Sequence, residues 1–280
     1  MKKLLLAIAL ILPLCGFSQD LDFGVTGGIA LYSGDLTAKE LAIYANDFSW
    51  AGGIFLRNRF SRFVGFRAGL TLGKVRGDEL INSVNIERGL NFQSNITELS
   101  LLGEINLFHI SYPRNRTVIS PYIAFGVAFF TFNPKINYKG QLLELRPLGT
   151  EGQGLSGYPN RYSRGQFSIP FGGGVNILIN DQLTLGAEMI FRSTLTDYLD
   201  DISSSQVKYG DVFTRKGELS AAISNPLLDP TRAENLEVTY RRGGPHNDWY
   251  IIPAITLSWR IKNTGKSKSV YSKFMECPRF

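Results

Sequence analysis

Apolar and polar residues alternate with a period of two over most of the chain after residue 20, as in β-strands that have one apolar face. In residues 63–74 the apolar face carries Val64, Phe66, Ala68, Leu70 and Leu72. The same alternation predicts strands at 21–32, 48–59, 63–74, 96–109, 119–132, 166–178, 183–196 and 249–261. With about ten residues or more, each is long enough for a tilted strand to cross a lipid bilayer.

The connections between the strands distinguish a membrane barrel from a soluble sandwich, whose strands alternate in the same way. The links after the second, fourth and sixth strands are short (60–62, 110–118 and 179–182), whereas the other links are long and polar. Short periplasmic turns alternating with long outer loops are typical of transmembrane barrels. The sequence therefore predicts an all-β fold, a single antiparallel transmembrane β-barrel of about eight strands in the outer membrane.

Charged and aromatic residues within the strands favour the same interpretation. On the lipid side a charge at mid-depth would cost about 2 to 4 kcal/mol, and the strand charges lie on the opposite face. They are Arg67, Glu98, Glu104, Glu188, Arg192 and Arg260. Aromatic residues gather near the strand ends, where interfacial girdles form. We expect these girdles to contain Tyr32, Trp50, Phe60, Phe63, Tyr122, Phe132, Trp249, Tyr250 and Trp259.

The N-terminus predicts export. Residues 1–18 combine two lysines, an apolar run and a small-x-small site, which is the pattern of a cleaved signal peptide. Cleavage after Ser18 would remove Cys15 and leave Cys277 alone, so no disulfide framework is expected. The formal net charge of +6 is scattered among acidic residues without a recognition motif, which disfavours a nucleic-acid partner.

The C-terminus predicts a basic tail. Residues 19–261 form the predicted barrel domain and residues 262–280 follow it. An even number of strands places both termini in the periplasm. Lys262, Lys266 and Lys268 are then candidate docking residues for a periplasmic partner, and the alternative is a solvated chain end.

The stretch FRSTLTDYLDDI, residues 191–202, carries the candidate site residues Asp197, Asp200 and Asp201. We expect the end of the seventh strand here, where carboxylates reach water and Tyr198 joins the girdle. The alternative is a hard-cation site, which would need further oxygen ligands from other outer loops. The candidates for those ligands are Asp35, Asp78, Glu79 and Glu151.

Two glycine-rich stretches resemble phosphate-binding loops only superficially. LRPLGTEGQG, residues 145–154, lacks the strand-to-helix context and the Lys-Ser/Thr pair of such a loop. We expect it to be a structured outer loop folded over the barrel mouth. IPFGGGVNI, residues 169–177, keeps the alternation of a strand, in which glycines permit bending or close packing.

Catalysis is not expected, and neither is a cofactor. Barrel enzymes need a histidine or paired carboxylates at a defined height, and the chain has only His109 and His246. His109 is predicted at the inner end of the fourth strand on the apolar face, and His246 in the last outer loop. An eight-stranded barrel is filled by its own side chains, which disfavours a solute pore.

Seven segments resemble the PorG-like family of outer-membrane β-barrels, which includes a component of the type IX secretion and gliding machinery and many members of unknown function. These segments are YSGDL (32–36), FRAGLTLGKVRGD (66–78), FNPKINYKG (132–140), LRPLGTEGQG (145–154), FSIPFGGGV (167–175), TDYLDDIS (196–203) and NDWYIIPAITLSWRI (247–261). The resemblance covers nearly the whole mature chain. It implies a non-enzymatic barrel that holds the periplasmic ring of the secretion motor at the outer membrane, through the ring lipoprotein and its partner subunit.

Two other functions compete with this one. The long outer loops 133–165 and 198–247 would, in a surface-binding protein, capture a ligand or adhere to a surface. A lipid-modifying enzyme is a third hypothesis, and it would have to use His109 or His246.

Overall fold

The computed structural model describes residues 20–37, 44–61, 63–83, 87, 89–112, 117–180 and 182–261. In these residues the strands are, in chain order, β1 (Asp20–Ser33), β2 (Ser49–Arg59), β3 (Val64–Asp78), β4 (Asn91–Asn106), β5 (Ile110–Tyr112), β6 (Thr117–Tyr138), β7 (Gln141–Glu144), β8 (Gly165–Leu178), β9 (Leu183–Thr194), β10 (Gln206–Lys208), β11 (Thr239–Arg241) and β12 (Trp249–Ile261). The eight long ones match the eight predicted strands, with ends that differ by a few residues. The signal peptide and the tail, with Lys262, Lys266, Lys268 and Cys277, lie outside the described residues.

The long strands form a closed antiparallel barrel. Pairing runs in the order β4-β3-β2-β1-β12-β9-β8-β6, and β6 pairs with β4 to complete the circle. The first and last strands are neighbours, with Leu21 opposite Ile261 and Ser33 opposite Trp249. Closure leaves no long strand with an unpaired edge, so the all-β barrel prediction is confirmed.

The two faces of each strand differ in the way that the alternation predicted. On β3 the outward side chains of Val64, Phe66, Leu70 and Leu72 are between 40% and 53% exposed, whereas the inward Arg67 is only 5% exposed. An apolar outer surface and a polar interior are the reverse of a water-soluble protein and are typical of a barrel in lipid.

At one end of the barrel the connections are short, and at the other end the chain builds additional structure. β6 has 22 residues and extends beyond the barrel to form a hairpin with β7. Lys139 and Gly140 at its turn have φ of 49° and 81°, as the two-residue turns that match strand twist require. A 3-10 turn at Ala45–Asp47 lies at the same end. We call this end the outer end.

Four short helices also lie at the outer end: α1 (Leu145–Leu148), α2 (Tyr209–Lys216), α3 (Glu218–Ser224) and α4 (Ala233–Leu236). Together, residues 145–164 and 195–248 form a folded layer, which we call the cap. Part of the cap has its own small core, formed by Val207, Tyr209, Val212 and Ala221. Among the described residues, no helix is both long and apolar enough to span a membrane.

The main hydrophobic core joins the cap to the outer half of the barrel. Phe132 of β6 stacks on Tyr162 of the cap at 5.9 Å between ring centroids, and Tyr162 stacks on Tyr198 at 4.8 Å. From the cap side, Leu199, Ile202 and Ile223 join the same cluster. The cap is therefore part of the folded core rather than a set of loops on the surface.

Several aromatic residues predicted for the girdles were placed wrongly. Tyr32, Tyr122, Phe132 and Tyr250 are at most 2% exposed and lie on the inward face of their strands. Tyr198 is half-buried in the aromatic stack of the cap. Position near a strand end did not reveal the face on which each ring lies, and the cap supplies apolar surroundings that a simple barrel mouth lacks.

Candidate functional site at the outer end of the barrel

Buried ion pairs fill the inner half of the lumen. Arg57 Nε lies 2.7 Å from Glu104 Oε2, and Arg67 Nε lies 3.1 Å from Oε1 of the same carboxylate. Arg67 Nη1 also lies 2.6 Å from Glu188 Oε2, which accepts a hydrogen bond from the Tyr122 hydroxyl. The charges alternate in sign across the lumen, and each is paired, which lowers the cost of burying it.

The outer half of the lumen is closed in the same manner. The Tyr250 hydroxyl donates to Glu98 Oε2 at 2.5 Å, and Arg192 Nε lies 3.1 Å from the same oxygen. At the inner rim, Asp22 lies between Arg59 and Arg260. A cavity of about 30 Å³ beside the luminal ion pairs is large enough for about one water molecule. The predicted inward orientation of the strand charges is confirmed, and side chains occupy the lumen.

A tyrosine of the barrel holds two carboxyl groups of the cap side. The Tyr32 hydroxyl lies 2.6 Å from Asp200 Oδ2 and 3.1 Å from Asp248 Oδ1. The other oxygens of these carboxyls accept backbone hydrogen bonds, from Ile202 N to Asp200 and from Leu199 N to Asp248, each at 2.9 Å. The strand β1, the 199–202 turn and the start of β12 are thereby connected at one point.

A second cluster of buried polar contacts fastens the glycine-rich loop to the rest of the cap. We call this cluster and the one around Tyr32 nodes. Asp201 accepts hydrogen bonds from the Thr150 and Tyr162 hydroxyls, both at 2.6 Å. Arg242 Nη1 lies 3.5 Å from Asp201 Oδ2 and 4.0 Å from Glu151 Oε1. Thr150 and Glu151 are fully buried, which confirms that residues 145–154 form a structured loop over the mouth.

Burial shifts the protonation of the cap carboxyls. It raises the pKa of Glu151 to about 8 and, together with the nearby Asp35, raises the pKa of Asp197 to about 7. Burial likewise raises the pKa of Asp200 and of Asp248, and mutual repulsion among these acids adds to the effect. Because Tyr32 has one hydroxyl proton for two acceptors, the arrangement is best satisfied when a carboxyl of this pair is protonated.

An open cleft lies at the outer end, between the 3-10 turn and the outer ends of β3, β4 and β6. Its volume is about 380 Å³, within the range of small-molecule sites. Its walls carry carboxamides, carboxylates and one guanidinium, with few apolar side chains. They are formed by Asn46, Asp47, Arg76, Gly77, Asp78, Ile81, Asn91, Phe92, Gln93 and Asn137. Burial raises the pKa of Asp47 to about 6, although Asn82 donates to its carboxylate at 2.6 Å.

Contrary to the expectation from the sequence, the candidate ion ligands Asp197, Asp200 and Asp201 do not lie at a strand end in contact with water. Asp200 and Asp201 are at most 1% exposed, and Asp197 is half-buried and accepts from Ser204 N at 3.3 Å. The further candidates accept hydrogen bonds from separate donors: Asp35 from Gly244 N, Asp78 from Leu80 N and Ile81 N, Glu79 from Leu90 N, and Glu151 from Ser203. In the described part of the chain, no acidic, histidine or cysteine side chains form a group that could hold a metal ion.

The two histidines belong to different regions. His246 is an exposed residue of the cap. His109 lies between β4 and β5, and its Nδ1 contacts the hydroxyl of the luminal Ser120. The prediction that His109 lies on the apolar face was wrong, because β4 ends at Asn106 and the irregular residues 107–109 interrupt the alternation.

Sequence reasoning missed most of the residues that bind the cap to the barrel. Tyr32 and Asp248 lie in the resembling segments, but their contact joins opposite ends of the chain. Arg242 stands in a polar stretch without periodicity, and nothing in the sequence pairs it with Asp201 or Glu151.

A family model covers residues 2–221 of the chain. The chain belongs to the family described as domain of unknown function DUF6089. No curated protein matches it. Its barrel is similar to solved outer-membrane proteins at low identity. For Ail, the attachment invasion locus protein of Yersinia pestis, identity is 8%, the TM-score 0.40, and coverage 86% of this chain and 98% of Ail.

Two further similar structures have comparable values. Neisserial surface protein A is 7% identical with a TM-score of 0.42, over 86% of this chain and 97% of that protein. The outer membrane protein OprG from Pseudomonas aeruginosa is 11% identical with a TM-score of 0.41, over 88% of this chain and 98% of OprG.

Proposed function

We propose that this DUF6089 protein is an integral outer-membrane barrel that acts without catalysis and that uses the cap as a binding surface outside the cell. One observation carries the proposal: the cap is a folded layer, fastened to the barrel by buried polar nodes, over a lumen already filled with ion pairs. A barrel built to pass solutes would keep its lumen open. A layer with its own core instead offers a fixed surface for recognition.

The outward faces of the strands support the membrane location. Aliphatic and aromatic side chains cover these faces and are widely exposed, as Phe125 at 54%, Leu99 at 61% and Ile255 at 57% illustrate. Such a continuous apolar surface on a monomer marks a lipid or protein contact. Because long outer loops and short periplasmic turns are the usual arrangement, the cap faces outward.

The orientation is tested by labelling intact cells with a thiol reagent that does not cross membranes. The background replaces both native cysteines, and single cysteines are introduced as Asp229→Cys in an exposed turn of the cap or Ser61→Cys in the exposed turn before β3. We expect Asp229→Cys to be labelled and the matched Ser61→Cys to be protected until the cells are lysed. The opposite pattern would place the cap in the periplasm and remove the surface role.

A second function, anchoring of the type IX secretion motor, is supported by the segments that resemble the PorG-like family. Tyr32, Thr150, Asp200, Asp201 and Asp248 all lie in these segments, and all belong to the nodes that fasten the cap. The segments that carry the resemblance therefore include residues that fasten the cap. On this proposal the tail docks the periplasmic ring lipoprotein and its partner subunit through Lys262, Lys266 and Lys268.

A crosslinking pull-down from outer membranes tests the anchoring role, with an affinity tag inserted at the exposed turn 229–232. Mass spectrometry should recover the ring lipoprotein and its partner subunit, and charge reversal at Lys262, Lys266 and Lys268 should weaken that recovery. If the barrel is recovered alone from membranes that contain the ring, the anchoring role is excluded. If recovery is unchanged after charge reversal, only the docking role of the tail is excluded.

A further inference from the structure

Three cationic side chains converge on one loop of the cap, residues 145–161, which comprises the glycine-rich stretch and the turns that follow it. Lys216 Nζ donates to the Gln153 carbonyl at 2.7 Å, Arg161 Nη2 to the Pro147 carbonyl at 3.4 Å, and Arg215 Nη1 to the Ser156 carbonyl at 3.4 Å. One loop therefore gathers side chains from α2 and from its own C-terminal end. We call Arg161, Arg215 and Lys216 the cationic patch.

Carboxylates do not neutralise this patch. Some other cations at the outer end do form ion pairs, such as Lys208 with Glu237 at 2.7 Å and Arg164 with Glu144 at 2.8 Å. Within the described residues, none of the three patch side chains forms an ion pair. Asp211, one helical turn before Arg215, accepts a hydrogen bond from the Tyr158 hydroxyl at 2.7 Å. The three cations nevertheless outnumber Asp211, the carboxylate on the same helix, so the patch keeps a local excess of positive charge.

The charges of the patch are close enough to affect one another. Burial, followed by the neighbouring Arg161 and Arg215 guanidiniums, lowers the pKa of Lys216. Repulsion among like charges costs free energy, and a bound anion would relieve it. Arg161 and Arg215 are exposed, so a ligand can reach them from solvent.

The hydrogen-bonding pattern indicates what kind of anion fits. The loop itself offers no cradle, because the N–H groups of Gly152, Gly154 and Leu155 donate to carbonyls of the same loop. Its glycines instead set its shape, with φ of 62° at Gly149 and 75° at Gly152. Each guanidinium has five N–H donors in a planar fork, a geometry that suits the oxygens of phosphate and sulfate groups.

We propose that the cationic patch binds phosphate or sulfate groups carried by a saccharide. Ser156 and Asn160 are exposed beside the patch and supply neutral groups for sugar hydroxyls. The inference rests on the proposed surface role, because such saccharides must reach the patch from outside. Two sources share this chemistry: phosphorylated lipopolysaccharide in the same membrane and soluble sulfated or phosphorylated polysaccharide.

The test uses the purified full chain in detergent, with dextran sulfate as the probe and neutral dextran and polyglutamate as comparisons. We expect dextran sulfate to bind. Its affinity should fall as the salt concentration rises, since charges are screened over about 8 Å at physiological ionic strength. Neutral dextran should not bind, and polyglutamate should bind more weakly. Equal binding of polyglutamate would show that charge alone is recognised and would overturn the proposal.

Variants locate the site. R161Q/R215Q should weaken dextran sulfate binding about tenfold or more, since hydrogen bonds to charged groups are among the strong ones. R161K/R215K keeps the charges but not the planar guanidinium forks, and its affinity for dextran sulfate should fall less than that of R161Q/R215Q. R232Q removes an exposed cap cation that lies near Asp229 and should bind like the unaltered protein. Equal loss in R232Q, or no loss in R161Q/R215Q, would place binding elsewhere on this basic chain.

Two further measurements separate the remaining outcomes. Hydrogen exchange of the cap checks that R161Q/R215Q is folded. If it is not, the affinity of R161K/R215K for dextran sulfate tests the patch instead. Vesicles that contain intact or dephosphorylated lipopolysaccharide then distinguish a membrane source from a soluble one. The thiol labelling of intact cells reports on the surface role independently of these binding data. Absence of binding to every phosphorylated and sulfated saccharide would overturn the inference and leave the surface role standing.

Discussion

At the scale of single residues, Arg242 has the clearest energetic role. Its guanidinium lies between the buried carboxyls of Asp201 and Glu151, and its Nη1 also donates to the Thr150 hydroxyl at 2.7 Å. Removing one partner of a buried charge pair leaves the other without compensation, which costs about 3 to 5 kcal/mol. The cap should depend on this residue more than the barrel does.

We therefore predict that Arg242→Ala opens the cap and leaves the barrel folded. Hydrogen exchange should show faster exchange at the amides of Leu199, Ile202 and Ser203, with β-strand protection unchanged. Arg232→Ala is the matched control, because its side chain is 69% exposed. Unchanged protection of the three amides in Arg242→Ala would contradict this view of the node.

The buried acids of the cap predict an unusual dependence on pH. The folded-state pKa of Glu151 is about 8, above its ordinary value of 4.5, so the folded cap binds more protons than the unfolded chain between these values. Its contribution to stability is thus fully present below pH 4.5 and is lost as pH rises through 8. Asp197, with a pKa of about 7, acts in the same direction.

The expected result is that cap protection in hydrogen exchange, corrected for the intrinsic effect of pH, falls between pH 5 and pH 9. Glu151→Gln resembles the protonated side chain and should flatten part of this dependence. Protection that increases over the same range would mean that Arg242 keeps Glu151 ionised and that the sign is reversed.

At the scale of elements, the approach of β6 to β4 depends on a glycine. A Cβ added at Gly126 would lie 1.9 Å from the Leu101 carbonyl oxygen, whereas a Cβ at Gly27 would meet nothing within 4 Å. Gly126→Ala should lower the free energy of unfolding by about 1 to 3 kcal/mol, as overpacking does. Gly27→Ala should leave it nearly unchanged. Urea titrations followed by tryptophan fluorescence would check both, and equal midpoints would show that the strands adjust freely.

The sequence predicted the strands well and the cap poorly, for a physical reason. A strand such as β12 has an apolar outward face and a face toward the polar lumen, so its alternation records both environments, and its predicted bounds of 249–261 are those observed. The cap has no such uniform surroundings. Its longest helix, α2, has 8 residues, too few for a clear helical period.

The candidate site shows the same limit. Asp200 and Asp201 were identified from the group of carboxylates in residues 191–202, yet their burial follows from contacts with Tyr32, Thr150 and Tyr162, which are remote in the chain. Local patterns carry no information about such partners. Strand charges could be placed because the alternative, a charge in lipid, is costly at every position.

At the scale of the whole molecule, the filled lumen and the fastened cap predict an electrically silent barrel. Arg57, Arg67, Glu98 and Glu104 are all at most 5% exposed and occupy the cross-section with paired charges. In planar lipid bilayers the purified protein should show no stable open channel. Steady conductance in the unaltered protein would contradict this prediction. If the conductance were the same in Arg67→Gln, the ions would pass by a route that does not include the ion pairs of Arg67.

The closure of the barrel between β1 and β12 also constrains how the protein can be made. Tyr32 and Asp248, which meet at the cap, are 216 positions apart, and β1 and β12 pair over separations at least as long, from Ser33 with Trp249 to Leu21 with Ile261. Contacts between distant parts of a chain form slowly, because the entropy of the intervening loop must be lost first. Until Trp249–Ile261 has been synthesised, β1 has an open edge that can pair with another chain. Biogenesis therefore has to hold most of the chain unaggregated until its last strand arrives.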